Sequence, residues 1–308
     1  MDHAEYKALM ERMRGLVEEE LARIENTEAA SIYPELRRAM FYSLEAGGKR
    51  LRPCLMLAVC EMLGGEVSRA LPFACALEMI HTYSLIHDDL PCMDDDDMRR
   101  GRPSNHKVFG EAMAVLAGDG LLSFAFETLL KAVAAHPDEG ALKAANEIAC
   151  RAGASGMVTG QAADIEFEGS AVQTEQMLMF IHRHKTADML AAAVLCGAYI
   201  AGADENTVSA LREYSEKMGL LFQITDDILD MTGDPALVGK TLGKDKESGK
   251  LTYAVLYGLE GAKARAEQAA EATTWSATSW HCGSRPRNAK GSGLSPIRTI
   301  RDFISNLS

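Results

Sequence analysis

The sequence predicts an all-α fold with a single domain. Only 9 of the 308 residues are proline and 6% are aromatic, and Ala, Leu, Met and Glu are frequent, a composition that favours helices. No stretch of useful length alternates apolar and polar residues as a half-buried strand would. With 47% hydrophobic residues the chain can bury a large core, so we expect a helical bundle.

Helical periodicity places the elements in chain order. The first two helices are predicted over residues 4–25 and 33–46, and Gly47 and Gly48 should stop the second one as a C-cap. A largely buried helix is predicted over residues 70–89. Later helices are predicted over residues 107–134, 138–158 and 208–231.

An aspartate-rich stretch begins where the helix over residues 70–89 should end, because Pro91 cannot continue it. Six aspartates follow one another closely from Asp88 to Asp97. Carboxylates this crowded repel one another unless a cation lies among them, and the helix dipole disfavours them at this end. Mg²⁺ suits the site because it prefers oxygen ligands and often binds one or two carboxylates together with substrate phosphates. For this stretch alone, a solvated acidic loop is the alternative.

A second acidic cluster lies on the helix predicted over residues 208–231. Gln223, Asp226, Asp227 and Asp230 are spaced i, i+3, i+4 and i+7, which puts them on one stripe of a helix that is otherwise apolar. Such a helix is buried, so its polar stripe must face a cavity or a partner. Two clusters of this kind indicate two walls of one metal-lined cavity at the centre of the bundle.

Composition excludes several functional classes. The formal net charge of −12 argues against nucleic acid as a partner, because backbone binding requires clustered cations. The seven cysteines are scattered and form no CxxC pair, which favours a reducing cytoplasm over a disulfide framework or a zinc site. Residues 1–25 are too charged for a signal peptide, and the apolar stretch over 189–203 is too short to span a bilayer confidently. We therefore expect a cytoplasmic protein without stable membrane insertion.

Several motifs, all in one order, resemble those of short-chain trans-isoprenyl diphosphate synthases, in particular bacterial farnesyl diphosphate synthases and their geranylgeranyl relatives. The matching motifs are Gly47-Gly-Lys-Arg-Leu-Arg-Pro53, Asp88-Asp89-x4-Asp94, Lys185-Thr186, Asp226-Asp227-x2-Asp230 and Gly239-Lys-Thr-Leu-Gly-Lys-Asp245. The resemblance implies an isoprenoid-synthase-type bundle around a central cavity, over residues 1–272, and a homodimer. It also implies isopentenyl diphosphate and allylic diphosphates as substrates.

The resemblance assigns metal ligands and catalytic groups. About three Mg²⁺ ions, or Mn²⁺ as a substitute, would bind with the substrate through carboxylates. The implied metal residues are Asp88, Asp89, Asp94, Asp226, Asp227 and Asp230. Ionisation of the allylic diphosphate would depend mainly on Asp88, Asp94, Asp226, Lys185 and Arg99.

The resemblance also assigns two diphosphate sites. Isopentenyl diphosphate would be bound by Lys49, Arg52, His81 and Arg100, with the role of Arg50 left open. The allylic diphosphate would be bound by Arg99, Lys185, Thr186, Gln223 and Lys240. Lys240 lies on a glycine-bearing basic loop that we expect to close as a lid. Gln161 and Asp164 are expected to support the site through hydrogen bonds.

Product length should depend on Tyr83 and Ser84, which precede Asp88 by five and four residues. Since the growing chain should run along this helix, these two side chains are expected to form the cavity floor. An aromatic residue such as Tyr83 resembles the arrangement that stops growth at fifteen carbons. The resemblance therefore implies farnesyl diphosphate as the product, with geranylgeranyl diphosphate as the alternative.

The sequence departs from the family pattern after residue 272. Residues 273–308 are rich in Ser, Thr, Gly and Arg and contain both tryptophans, as if the reading frame had shifted, and we expect this tail to be partly disordered. Two other functional classes remain open. A terpene cyclase needs no second diphosphate pocket, so the GGKRLRP segment and His81 count against it. A catalytically silent partner subunit has only the unusual tail in its favour.

Overall fold

The computed structural model describes residues 3–170, 174–232 and 251–279, with side chains for residues 4–170, 174–232 and 251–270. The helices in these ranges are α1 (His3–Thr27), α2 (Pro34–Leu44), α3 (Leu51–Met62), α4 (Val67–Asp88), α5 (Asn105–Phe109), α6 (Glu111–Ala135), α7 (Glu139–Ala152), α8 (Met157–Phe167), α9 (Glu175–Ile181), α10 (Asp188–Ile200), α11 (Glu205–Thr232) and α12 (Tyr253–Ser279). A 3-10 turn (Ala29–Ser31) follows α1, and a π-helical turn (His182–Ala187) joins α9 to α10. The predicted all-α class is confirmed.

The core of the bundle is centred on α4 and α10. Every residue of α10 except Tyr199 is buried, which explains the apolar stretch in the sequence as a core helix. This helix packs on α3, α7 and α11, while α4 packs on α3 and α6. Gly197 lets α10 approach α3 closely, since a Cβ there would lie 2.5 Å from the carbonyl oxygen of Met56. The site residues of α4 therefore lie on a rigid support that the two central helices form.

One helix, α6, is long and apolar enough to cross a membrane by length and composition alone. Its most apolar window is 44% buried in the structure, where α6 packs against α4 and α2. The core helix of a globular protein passes the same test, so this is weak evidence for a membrane span. Most of the apolar stretch over residues 189–203 lies in a different helix, α10.

Glycines divide two of the predicted helices. The single helix expected over residues 138–158 is wrong, because α7 ends at Ala152 and α8 begins at Met157. Gly156 has non-helical backbone angles, and a Cβ at this position would lie 2.1 Å from the carbonyl oxygen of Arg151. Gly110, with φ of 83°, similarly separates α5 from α6 within the helix predicted over residues 107–134.

A short antiparallel hairpin, which the sequence analysis did not predict, follows the first aspartate cluster. Its strands are β1 (Met98–Arg99) and β2 (Arg102–Pro103). The two turn residues between the strands, Arg100 and Gly101, have φ values of 53° and 76°. Positive φ at both central residues is typical of the type I′ turn, whose twist suits a two-residue hairpin.

The last described helix, α12, extends beyond the predicted domain boundary at residue 272. It reaches Ser279 and contains a break at Gly258, where φ is 68° and ψ is 172°. The tail beyond residue 279 lies outside the described residues. The boundary, the frame-shift hypothesis and the expected disorder therefore stay predictions.

Candidate active site

The first aspartate cluster begins where α4 ends. The helix stops at Asp88, as Pro91 predicts, and the backbone N–H of Asp89 donates to the carbonyl oxygen of Leu85 at 3.1 Å. The chain then turns back, because the N–H of Asp94 donates to the carbonyl oxygen of Asp88 at 2.8 Å. The loop therefore holds Asp88 and Asp94, two of the predicted metal ligands, side by side.

Asp89 and Arg99 form a buried ion pair within this cluster. Asp89 is 2% exposed, and Nε of Arg99 donates to its Oδ1 at 2.9 Å. Burial raises the pKa of Asp89, the pairing with Arg99 opposes this shift, and the neighbouring charges of Asp96 and Asp94 add to it. The carboxylates thus repel one another as predicted. Arg99, a predicted ligand of the allylic diphosphate, acts here as their local counterion.

A third acidic group in the same loop was missed by the sequence analysis. Possible ligand atoms of Asp95, Asp97 and His106 lie within 4.8 Å of one another. Asp97 also accepts from Nζ of Lys107 at 2.7 Å. No local spacing could reveal this group, since His106 reaches the aspartates only because the hairpin reverses the chain between them.

The residues predicted to bind isopentenyl diphosphate lie where three elements come together: the start of α3, helix α4 and the hairpin turn. Nη1 of Arg52 lies 3.2 Å from Nε2 of His81, and Nη1 of Arg100 donates to the carbonyl oxygen of Gly47. A Cβ at Gly48 would lie 2.9 Å from Cζ of Arg100, so the guanidinium packs directly on the glycine backbone. Lys49 is exposed beside them. The glycine pair therefore admits Arg100 to the pocket. Its predicted role as the C-cap of the second helix is wrong, because α2 ends at Leu44 and Glu45 is its C-cap.

The pocket is strongly cationic. Burial, followed by the charges of the arginines around it, lowers the pKa of His81 well below its usual value, so the ring is neutral at pH 7. Burial also lowers the pKa of Arg52, and its Nε has no hydrogen-bond partner among the described residues. A buried donor without a partner beside a cluster of guanidinium groups is a suitable place for an anion.

The second aspartate cluster is tied to the surrounding helices. Asp227 is 3% exposed; its Oδ1 accepts from Nε2 of Gln223 at 3.0 Å and its Oδ2 from the backbone N–H of Tyr253 at 2.8 Å. Asp230 is buried, and Asp226 is half-buried. The charge of Asp226 acts on Arg52, where it raises the pKa against the effect of burial. The second cluster therefore lies near enough to influence the cationic pocket.

Lys185 and Thr186 lie on the π-helical turn between α9 and α10. Nζ of Lys185 donates to Asp164 of α8 at 2.6 Å, which agrees with the supporting role expected for Asp164. The wide turn fits because two glycines face it: a Cβ at Gly160 would lie 2.2 Å from the backbone nitrogen of Lys185, and one at Gly219 would lie 2.3 Å from Cβ of Ala187. Such π-helical turns frequently mark functional sites.

A protein-family model described as Polyprenyl synthetase matches residues 33–279. The chain belongs to this family. Its members act on isopentenyl and allylic diphosphates and use metal ions to bind them, and the predicted kinship with short-chain trans-isoprenyl diphosphate synthases is confirmed.

The names of similar proteins give two different products, farnesyl diphosphate and geranylgeranyl pyrophosphate. Farnesyl diphosphate synthase of Geobacillus stearothermophilus is 53% identical over 230 residues, which cover 74% of this chain and 77% of that protein. A chloroplastic heterodimeric geranylgeranyl pyrophosphate synthase large subunit 1 of Arabidopsis thaliana is 51% identical over 238 residues, 76% of this chain and 64% of that protein. The chain thus spans less than two thirds of the plant relative.

A solved structure shares the fold. The geranyltransferase of Helicobacter pylori, complexed with magnesium and isoprenyl diphosphate, superposes with a TM-score of 0.75 and 33% sequence identity, over 95% of this chain and 94% of the other. The bundle described above is therefore the fold of an isoprenyl synthase.

The predicted floor residues lie on α4, before Asp88 in the chain. Tyr83 is 7% exposed and packs edge to face on His87, with ring centroids 5.7 Å apart. The hydroxyl of Ser84 donates to the carbonyl oxygen of His81 at 2.9 Å. His87 has a structural role, since its Nε2 lies 3.1 Å from the carbonyl oxygen of Val115 on α6.

The two histidines beside Lys185 have different partners. Nδ1 of His184 lies 2.8 Å from Asp188, whereas His182 lies 3.7 Å from Asp227. Burial, with Lys185 as a smaller cause, lowers the pKa of His182 to about 3, so this ring is neutral at pH 7. Lys240, the remaining predicted ligand of the allylic diphosphate, lies outside the described residues.

Proposed function

We propose that this polyprenyl synthetase condenses isopentenyl diphosphate head to tail with dimethylallyl and geranyl diphosphates and releases farnesyl diphosphate. The observation that carries the proposal is the pocket of Arg52, His81 and Arg100, which is separate from the aspartates at the end of α4. Condensation needs two diphosphate sites, whereas a terpene cyclase needs one. A cationic pocket in addition to an acidic one therefore favours the condensing enzyme.

Mg²⁺ fits the acidic site, and we infer that the site takes about three ions, with Mn²⁺ as a substitute. Burial raises the pKa of Asp89, and the charges of Asp96 and Asp94 add to this shift; a bound cation would relieve that repulsion. Asp88, Asp94 and Asp226 would hold the metal directly. Asp89, Asp227 and Asp230 would act through metal-bound water; the oxygens of the first two already accept hydrogen bonds from protein donors. Bound metal supplies positive charge that stabilises the leaving diphosphate.

The chain's own cations would hold the two substrates. Lys49, Arg52 and Arg100 bind isopentenyl diphosphate, and neutral His81 completes that pocket as a hydrogen-bonding group. The allylic diphosphate is bound by Arg99, Lys185, Thr186, Gln223 and Lys240. Asp164 accepts one of the three N–H donors of Lys185 and so can hold this side chain in place while it binds.

The bond changes balance as follows. The allylic carbon–oxygen bond breaks, and the diphosphate leaves with the electron pair. The double bond of isopentenyl diphosphate attacks the allylic cation, which forms one new carbon–carbon bond. The departing diphosphate then takes a proton from the resulting cation, and a new double bond forms.

We also propose a homodimer in the cytoplasm. Large apolar side chains on α6 are exposed in the single chain, and the clearest are Val115, Leu116 and Leu130. Exposed apolar patches of this kind mark interaction surfaces. A second copy that covers this face of α6 would account for its composition.

A product assay tests the function. Purified protein with Mg²⁺, labelled isopentenyl diphosphate and geranyl diphosphate should release mainly farnesyl diphosphate, and chelation of the metal should abolish this. Geranylgeranyl diphosphate is the second candidate product, because relatives of both names are about equally similar. A cyclic hydrocarbon formed without isopentenyl diphosphate would indicate a terpene cyclase. No consumption of either substrate would indicate a silent subunit.

A further inference from the structure

Arg50 differs from the other cations of its segment because its guanidinium faces the protein interior. The side chain is fully buried between Glu18 of α1 and Glu78 of α4. Its Nε donates to Glu18 at 2.7 Å, its Nη1 to Glu78 at 2.8 Å, and its Nη2 to the carbonyl oxygen of Leu44 at 2.5 Å. One side chain thus joins α1, α2 and α4 at the point where α3 begins.

The backbone of Arg50 is also unusual. Its φ of 47° and ψ of 37° are left-handed, a conformation that few residues other than glycine adopt. Surrounding contacts must hold such a residue in place. This bend lies between Lys49 and Arg52, so the contacts of Arg50 fix the course of the chain that carries both.

Glu78 connects Arg50 to the other side of the pocket. It is 1% exposed and precedes His81 by three residues on α4. The Oε1 atom that accepts from Arg50 also lies 3.8 Å from Nη2 of Arg100. Arg100 in turn donates to the carbonyl oxygen of Gly47, three residues before Arg50. The contacts therefore form a closed ring around one wall of the pocket.

We propose that Arg50 is a positioning residue for the isopentenyl diphosphate pocket, acting on Arg100 through Glu78 and on Arg52 through the backbone. The inference rests on the proposed function. Arg50 does not bind the diphosphate itself, because its Nε, Nη1 and Nη2 already donate to protein oxygens and the side chain has no exposed surface. A pocket arranged in advance binds more tightly, because less ordering is left for the ligand to impose.

Binding of isopentenyl diphosphate alone tests the proposal, since no turnover occurs without an allylic partner. Glu18→Gln weakens the ring from its outer side, and because Glu18 is 44% exposed this variant should fold. Arg50→Lys keeps the charge but cannot form the three-way contact. Glu61→Gln is the matched control: it breaks an exposed pair with Arg12 that also joins α1 to α3, but at the far end of α3.

Calorimetry with Mg²⁺ should measure the Kd of isopentenyl diphosphate and of a non-ionisable thio analogue of geranyl diphosphate, alongside thermal unfolding. We expect Glu18→Gln to raise the Kd of isopentenyl diphosphate about three- to tenfold, and Arg50→Lys to raise it by about tenfold or more. The Kd of the allylic analogue should change less than about twofold in each variant, as should both constants in Glu61→Gln.

Four results would overturn the inference. An unchanged Kd in Glu18→Gln would mean that Arg50 has no influence on the pocket. A lower Kd would mean that Arg50 contacts the ligand directly, because loss of an anionic partner would free its charge for the diphosphate. An equal rise for both ligands, or a fall in melting temperature alone, would mean a general structural role. The proposed function fails separately, if the wild-type protein binds isopentenyl diphosphate but does not condense it.

Discussion

The two aspartate-rich clusters of this polyprenyl synthetase are held by contacts of different range. In the first, Asp89 pairs with Arg99, ten residues away, and the N–H of Asp94 donates to the carbonyl oxygen of Asp88, so these contacts join residues close together in the chain. In the second, Asp227 accepts from the N–H of Tyr253, 26 residues further along the chain. The first cluster is therefore a product of local chain folding, whereas the second also serves as a joint between α11 and α12.

The comparison predicts that catalysis depends on both clusters, and this is the largest expected effect. Asp88→Ala and Asp226→Ala should each lower turnover by about a thousandfold or more, because each removes a carboxylate that we assign directly to the metal. Steady-state assays with Mg²⁺ measure the loss. Asp119→Ala, which removes an exposed carboxylate on α6, is the matched control and should be nearly silent.

Near-normal turnover in either aspartate variant would rule out a metal site with two walls. Melting temperatures should stay close to that of the wild type, since removal of one charge from a crowded acidic loop relieves repulsion.

Arg52 interacts with both of the helices that carry the aspartate clusters. The charge of Asp226 on α11 raises its pKa, and its guanidinium contacts His81 on α4. Arg52→Ala should raise the KM for isopentenyl diphosphate about ten- to a hundredfold, with a much smaller change for the allylic substrate. Lys49→Ala should act in the same direction but more weakly, since Lys49 is exposed. Equal increases for both substrates would show that the pocket is assigned to the wrong diphosphate.

Substitutions in the two clusters should differ more in their effect on the free energy of unfolding than in their effect on activity. Asp227→Ala leaves the buried N–H of Tyr253 without an acceptor, which should lower the free energy of unfolding by about 1–3 kcal/mol. Asp227→Asn keeps one oxygen and should recover part of this loss. Denaturant unfolding measures both, with Asp88→Ala as the comparison from the first cluster. If Asp227→Ala were as stable as the wild type, the joint between α11 and α12 would not exist in solution.

The local part of this architecture could be predicted from the sequence. Pro91 and the apolar spacing before it give the end of α4, and the stripe through Asp226 and Asp230 gives a buried acidic face on α11. The helical class follows from composition, because few prolines interrupt helices and few aromatics favour sheets.

The remainder depends on contacts between distant segments. The π-helical turn that carries Lys185 exists where Gly160 and Gly219 approach it from two other helices, and a single turn of six residues is too short to show a period in the sequence. Likewise, the burial of Arg50 requires Glu18 and Glu78, which lie 32 and 28 residues away. No spacing within the basic segment shows that one of its arginines faces inward.

Tyr83 extends the comparison of the two clusters to product length. Of the substitutions considered, one at this position should have the smallest effect on turnover. Its ring lies on the helix that carries the first cluster, packed against His87, and α6 closes the far side where Gly118 faces the same histidine. We therefore expect the proposed cavity floor to combine a local element of α4 with a tertiary contact from α6.

Tyr83→Ala should shift the product from farnesyl towards geranylgeranyl diphosphate, because removal of the buried ring leaves room for another isoprene unit. Burial, followed by the charge of Asp88, raises the pKa of Tyr83 to about 12, so its hydroxyl is neutral and Tyr83→Phe is a close control that should keep the wild-type product. Chromatography of the dephosphorylated alcohols measures the distribution. Turnover should change only a few-fold, since the metal site is untouched. An unchanged distribution in Tyr83→Ala would place the floor on the α6 side, beside Gly118, and would leave the assignment of both aspartate clusters as it stands.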